Sequence, residues 1–150
     1  MKKIIVGIDG SNASMNALRY AIKMAKSINS EVMGISVINE PSYKEYYADI
    51  SAKLKAETEA FLKTAKEKFS GEGINITTDI AYGAPDEVLA EIAKKDKDVF
   101  MIVVGASGKG RGSRIFAGSQ THALVNQVAS GLSCVVVVVP GYDAEFLNRI

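Results

Sequence analysis

Five short apolar runs, each followed by a stretch with helical periodicity or by the tail, set the limits on what this chain can become. The runs are KIIVGI, EVMGISVI, NITTDIAY, DVFMIVVG and SCVVVVVP. They are short and rich in valine and isoleucine. The first, fourth and fifth lack polar alternation, as strands covered on both faces do. Between them, SNASMNALRYAIKMAKSI places Met15, Leu18, Ala21, Ile22, Ala25 and Ile28 at spacings of three and four, which is one face of a helix. The stretch SYKEYYADISAKLKAETEAFLKTAKEKFS repeats the pattern through Tyr43, Tyr47, Ile50, Leu54, Phe61, Ala65 and Phe69. APDEVLAEIAKKD opens on Pro85, Asp86 and Glu87 and closes on lysines, matching the proline preference of the first helical position and the sign of the helix dipole. SQTHALVNQVASG begins with Ser119, an expected N-cap, and ends at Gly131.

The order is therefore β-α-β-α-β-α-β-α-β. Strands alternating with helices predict a parallel sheet, right-handed crossovers and helices on both faces. At 150 residues, residues 1–150 form one domain with a core of useful size. The net charge of +1 gives no global attraction to nucleic acid or to an acidic membrane. No apolar run reaches the length of a membrane span. The single cysteine, Cys134, rules out an intrachain disulfide and fits a reducing compartment, so a cytoplasmic protein is expected. As a strand residue with no basic neighbour in sequence, Cys134 reads as a small hydrophobe.

The segment GASGKGRGSRIFAGSQT, Gly105 to Thr121, holds five glycines and three basic residues directly behind the fourth strand. Between Val99 and Tyr142 there is no acid, and Lys109, Arg111 and Arg114 are the only lysines or arginines. In an open parallel sheet, ligands bind beyond the carboxyl ends of the strands, near the reversal of strand order. Glycines let backbone amides approach a ligand, and a helix start offers free N–H groups and the positive end of a dipole, which suit phosphate. The segment lacks the Walker spacing of a P-loop, and it does not follow the first strand as a Rossmann fingerprint does. A plain connector with solvated basic residues is the competing reading. The sole histidine, His122, has no acid or cysteine nearby in sequence and reads as structural. Asp9-Gly10-Ser11, at the end of the first strand, is both a candidate ligand contact and a common turn and cap composition.

The spacing Gly105-x2-Gly108-x9-Gly118-Ser119 resembles the nucleotide-binding pattern of the universal stress protein family. IIVGIDGSNASMNAL is similar to the family's first strand and helix. YGAPDEVLAEIAKKDKDVFMIVVGASG is similar to its third strand, following helix and fourth strand, and LVNQVASGLSCVVVVVP to its closing helix and strand. The resemblance implies a Rossmann-like fold of the adenine-nucleotide α-hydrolase type with strand order 3-2-1-4-5. It implies bound ATP, or ADP or AMP, with Mg2+ or Mn2+ held through the phosphates. Carried over by position, it puts Ile8 and Asp9 beside adenine and ribose and Val37 on the adenine. Gly105, Ser107 and Gly108 line ribose and the first phosphate, and Gly118, Ser119, Gln120 and Thr121 hold phosphates. Glutamine at 120, and the loop KGRGSRIFA, depart from the aliphatic residues common in the family. The resemblance also implies a homodimer paired through the last strand, Val135–Val139, since a long apolar edge is otherwise an association hazard. The implied role is a nucleotide-dependent stress or signalling module. No catalytic set for more than slow ATP hydrolysis is present, so an adenylating ligase ranks last. The alternative is a dimeric interaction module of the same fold that binds no nucleotide.

Overall fold

A computed structural model of the chain describes residues 1–39, 48–106, 118–141 and 146–149. Its elements run β1 (Lys3–Gly7), α1 (Asn12–Ile28), β2 (Glu31–Ile38), α2 (Ala48–Lys68), β3 (Ile76–Tyr82), α3 (Pro85–Lys95), β4 (Val99–Gly105), α4 (Gly118–Ala129) and β5 (Val135–Val139). Short 3-10 turns lie at Ser70–Glu72 and Phe146–Arg149. The five strands form one sheet in the order β3-β2-β1-β4-β5, and every neighbouring pair is parallel.

Side-chain alternation along the central strands divides the core into two layers. Ile4, Val6 and Ile8 of β1 and its end, with Met101 and Val103 of β4, pack against α1 and α2. Ile5 of β1, with Ile102 and Val104 of β4, packs against α3 and α4. Covering both faces leaves no place for a polar residue in β4 or in β1 beyond Lys3 at its start, which explains their apolar runs. The expectation that the fifth strand is covered in the same way needs correction. Val135 is 54% exposed and Val138 40% exposed, because β5 has β4 on one side only and lies at the sheet edge.

The helix expected over residues 42–70 is observed as Ala48–Lys68, and Tyr43 and Tyr47 lie outside the described residues. Its buried stripe runs through Leu62, Ala65 and Phe69, with Thr58 alongside. Phe61 is half-buried and turns toward Gly10, which has φ +83°. A Cβ on Gly10 would come within 3.1 Å of the Phe61 ring, so both backbone conformation and space require glycine there.

The two edges of the sheet differ. On β3, Asn75 accepts from Val32 N–H and Gly83 donates to the Ile38 carbonyl, so the odd-numbered residues face β2 and the even-numbered N–H groups face outward. One of these outward donors, the Ile80 N–H, is taken at 2.8 Å by the Asp79 carboxylate. A charge that occupies a ladder donor at mid-strand blocks the approach of another strand. Among the described residues nothing comparable occurs on β5, which is five valines. We expect Asp79→Val to produce species larger than those of the wild type in sedimentation velocity at micromolar concentration. An unchanged size distribution would mean that Asp79 does not guard this edge.

Candidate functional site at the strand-order switch

Strand order reverses between β1 and β4. The chain leaves β1 toward α1 on one face of the sheet and leaves β4 toward α4 on the other. Such diverging exits are where an open parallel sheet forms a crevice for a ligand, beyond the carboxyl ends of the central strands.

On the β1 side, hydrogen bonds fix the turn that carries Asp9. The Asp9 carboxylate accepts the Ser11 N–H at 2.9 Å. Ser11 caps α1, its hydroxyl accepting the Ser14 N–H at 3.2 Å. The Ser14 hydroxyl donates back to the Ser11 carbonyl at 2.9 Å and accepts the Asp9 N–H at 3.3 Å. The start of α1 is thus closed by its own serines. Asp9 is only 4% exposed. Its Oδ1 is used in the turn, and among the described residues no donor is assigned to its other oxygen.

Ile8 and Val37 are also brought to this end, but their side chains belong to the core. Ile8 lies over Gly34 of β2, where a Cβ would fall 2.6 Å from its Cδ1. Ile8 N–H donates to the Ile35 carbonyl at 2.9 Å, and its own carbonyl accepts the buried Ser36 hydroxyl at 2.6 Å. Val37 is buried in the layer opposite Ile8. Residue-by-residue reading of the sequence missed Ser36 and Ser14. A serine inside an otherwise apolar strand, and a serine three residues after an N-cap, were the available signals.

On the β4 side, Gly105 ends the strand, paired with Val139. It abuts the first turn of α1: a Cβ there would lie 2.5 Å from the Ala13 carbonyl carbon and 2.9 Å from the Ala13 Cβ. This glycine therefore has a packing reason besides any ligand. Ser107 and Gly108, with Lys109, Arg111 and Arg114, lie outside the described residues.

Helix α4 begins at Gly118, so Ser119 sits inside the first turn instead of at the N-cap expected for it. Only the helical backbone is described for Gly118, Ser119 and Gln120. Thr121 is described, and its Oγ1 is buried with no hydrogen-bond partner among the described residues. A buried hydroxyl without a partner costs free energy, about 1–3 kcal/mol, unless something satisfies it. His122 is exposed on the same turn. Among the described residues there is no group of three His, Cys, Asp or Glu side chains able to hold a metal ion, and no helix is long and apolar enough to cross a membrane.

Cys134 precedes β5, and burial pushes its thiol up to about 11. At pH 8 it is protonated and a poor nucleophile. We expect no reaction with a disulfide reagent on the native protein within minutes and full reaction after unfolding; rapid native labelling would contradict the burial.

The universal stress protein family model matches residues 1–140. Universal stress protein MJ0531 of Methanocaldococcus jannaschii is 34% identical over 143 residues, covering 92% of this chain and 81% of that protein. Among solved structures, universal stress protein UspA from Lactobacillus plantarum superposes with a TM-score of 0.77 at 22% identity, over 92% of this chain and 97% of that one. Other similar structures are family members with adenine nucleotides. One is in complex with cAMP (TM-score 0.67, 23% identity, 92% and 96% covered). Another, from Archaeoglobus fulgidus, is in complex with dAMP (0.69, 16%, 93% and 98%), and one from Arabidopsis thaliana has AMP bound (0.62, 14%, 97% and 94%). A parallel α/β sheet of this kind is the fold these proteins share with this one. The chain belongs to the universal stress protein family.

Proposed function

We propose that this chain is an ATP-binding universal stress protein that acts as a nucleotide-dependent stress-response or signalling module, with at most slow ATP hydrolysis. The observation that carries the reading is the buried, unpartnered Thr121 hydroxyl in the first turn of α4. It lies where backbone N–H groups and the positive end of the helix dipole favour phosphate. Asp9, on the other exit from the crevice, retains a carboxylate oxygen for the ribose hydroxyls. Cyclic AMP, dAMP and AMP in related structures are consistent with an adenine nucleotide.

Gly118, Ser119, Gln120 and Thr121 hold phosphates in this reading, while Gly105, Ser107 and Gly108 line the ribose side. Ile8 and Val37 lie at the strand ends next to the base in this reading, their side chains remaining in the two core layers. Mg2+ or Mn2+ is held through the phosphate oxygens in this reading. No carboxylate or histidine lies between Val99 and Thr121 to activate water, which keeps hydrolysis slow.

The protein acts as a homodimer paired through the outer edge of β5. Val139 accepts from Ala106 N–H, which turns the backbone groups of Val136 and Val138 outward, and β5 itself carries no charge to block them.

Two experiments test the reading. Acid-denatured protein is centrifuged and its supernatant chromatographed for released nucleotide, and stripped protein is titrated calorimetrically with ATP and Mg2+. Saturable one-site binding is expected; no heat and no released nucleotide would leave an interaction module of the same fold. Sedimentation equilibrium at micromolar concentration is expected to give twice the chain mass, and monomer alone would exclude the β5 dimer.

A further inference from the structure

Helix α1 carries three charged residues, Arg19, Lys23 and Lys26, and no acid. Their spacing, i, i+4 and i+7, sets them on one stripe. All three line a single cavity of about 400 Å³, whose floor is Ile22 and Phe69 and whose opposite wall includes Asn148 of the C-terminal 3-10 turn. A helix that puts every one of its charges into one concave place, in a chain with net charge +1, concentrates positive potential there.

The cavity is separate from the crevice. Lys23 is twelve residues along α1 from Ser11, roughly 18 Å at the helical rise. It therefore stands whether or not a nucleotide binds at the strand ends.

The groups are arranged for recognition as well as for charge. Arg19 Nη1 donates at 2.9 Å to the carboxamide oxygen of Asn16, which is itself buried. That contact holds the guanidinium in place, and among the described residues no acceptor is assigned to its other N–H groups. Lys23 lies one turn on, about 6 Å away at Cβ. Lys26 is paired with Glu72 at the far end of the cavity. The floor residues are 3% and 8% exposed, so one side of any bound anion meets apolar protein instead of water, which strengthens its attraction to the cations.

We propose that this cavity is a second anion site, which binds a small molecule bearing two linked phosphate groups between Arg19 and Lys23. Two cations one helical turn apart match anionic oxygens on two adjacent centres better than a single carboxylate. Arg19 supplies forked hydrogen bonds and Lys23 a point charge. Glu72 limits occupancy of the Lys26 end and so favours a compact ligand.

Inorganic pyrophosphate is the probe. It is titrated into uniformly 15N-labelled protein with chloride adjusted to constant ionic strength, and amide shifts are followed by NMR. Amides of residues 19–26 and 146–149 are expected to shift and saturate, independently of any shifts at the start of α4. Arg19→Gln with Lys23→Gln is expected to raise the midpoint about tenfold or more, as loss of charge-assisted contacts does. Glu72→Gln, which frees Lys26 and removes the only acid among the described residues that line the cavity, is expected to lower it several-fold. All three positions are at or near the surface, and matching melting curves verify that the variants are folded. Shifts that stay linear to 10-fold excess over the wild-type protein's ionic control, that chloride reproduces, or that survive the double substitution overturn the proposal. Shifts confined to α4 overturn it as well and leave the nucleotide reading intact.

Discussion

Gly105→Ala is expected to destabilise the fold by about 3 kcal/mol, at the upper end of what overpacking a tight site costs. A methyl at this position meets the carbonyl carbon of Ala13 at 2.5 Å and lies closer still to its oxygen. These are backbone atoms of the first turn of α1, and they cannot rotate away as a side-chain tip would. The turn is held from its other side by the Ser11 cap and by the Ser14 hydroxyl, which bridges to Asp9 N–H and the Ser11 carbonyl. Relief therefore requires α1 to move off β4, against the packing of Ala17 and Leu18 in the same layer. Gly71→Ala is the matched control: a Cβ there has nothing within 4 Å, and surface changes of that kind stay within about 0.5 kcal/mol. Urea unfolding of both variants checks the pair. Equal midpoints would show that α1 tolerates the displacement and that Gly105 is dispensable for packing.

The same residue marks how far the sequence could be read. The spacing from Gly105 to Gly118 pointed to a ligand, and that reading is compatible with the crevice. What no spacing discloses is that α1 leans on this glycine, because the contact joins residues 92 positions apart. Elements bounded by strong local signals were legible. Strand β2 spans Glu31–Ile38 as its apolar run does, α1 follows its Ser11 cap, and α3 starts at Pro85. The alternation of strands and helices gave the parallel sheet, while the order 3-2-1-4-5 came from family resemblance and not from periodicity. In α2 the charged residues blur the stripe, so Leu62 was passed over in favour of Phe61. Within the site, Asp9 was legible as an acid at a strand end. Thr121 was named only through the family resemblance, and the burial of its hydroxyl without a partner among the described residues shows only once its surroundings are packed. The uninterrupted valines of β5 suggested burial on both faces, whereas their exposure follows from edge position.

Asp9→Asn separates the two roles of that acid and is expected to weaken ATP binding by about ten- to a hundredfold, the range for losing hydrogen bonds to a charged group. An asparagine oxygen can still accept the Ser11 N–H that Asp9 Oδ1 accepts at 2.9 Å, as asparagine does in Asx turns. The fold should therefore survive with little change in urea midpoint. The second carboxylate oxygen becomes an NH2 group, which donates where ribose hydroxyls need an acceptor. The loss must then depend on those hydroxyls. With 2′,3′-dideoxy-ATP, wild type and variant are expected to bind with nearly equal affinity, because neither has the contact to lose. Calorimetric titration of both proteins with both nucleotides completes a double-mutant cycle. A coupling close to zero, with both ligands weakened alike, would assign Asp9 to the turn alone. A large coupling with an unchanged melting curve would put the ribose against Asp9, on the β1 side of the strand-order switch and opposite the β4 exit toward α4.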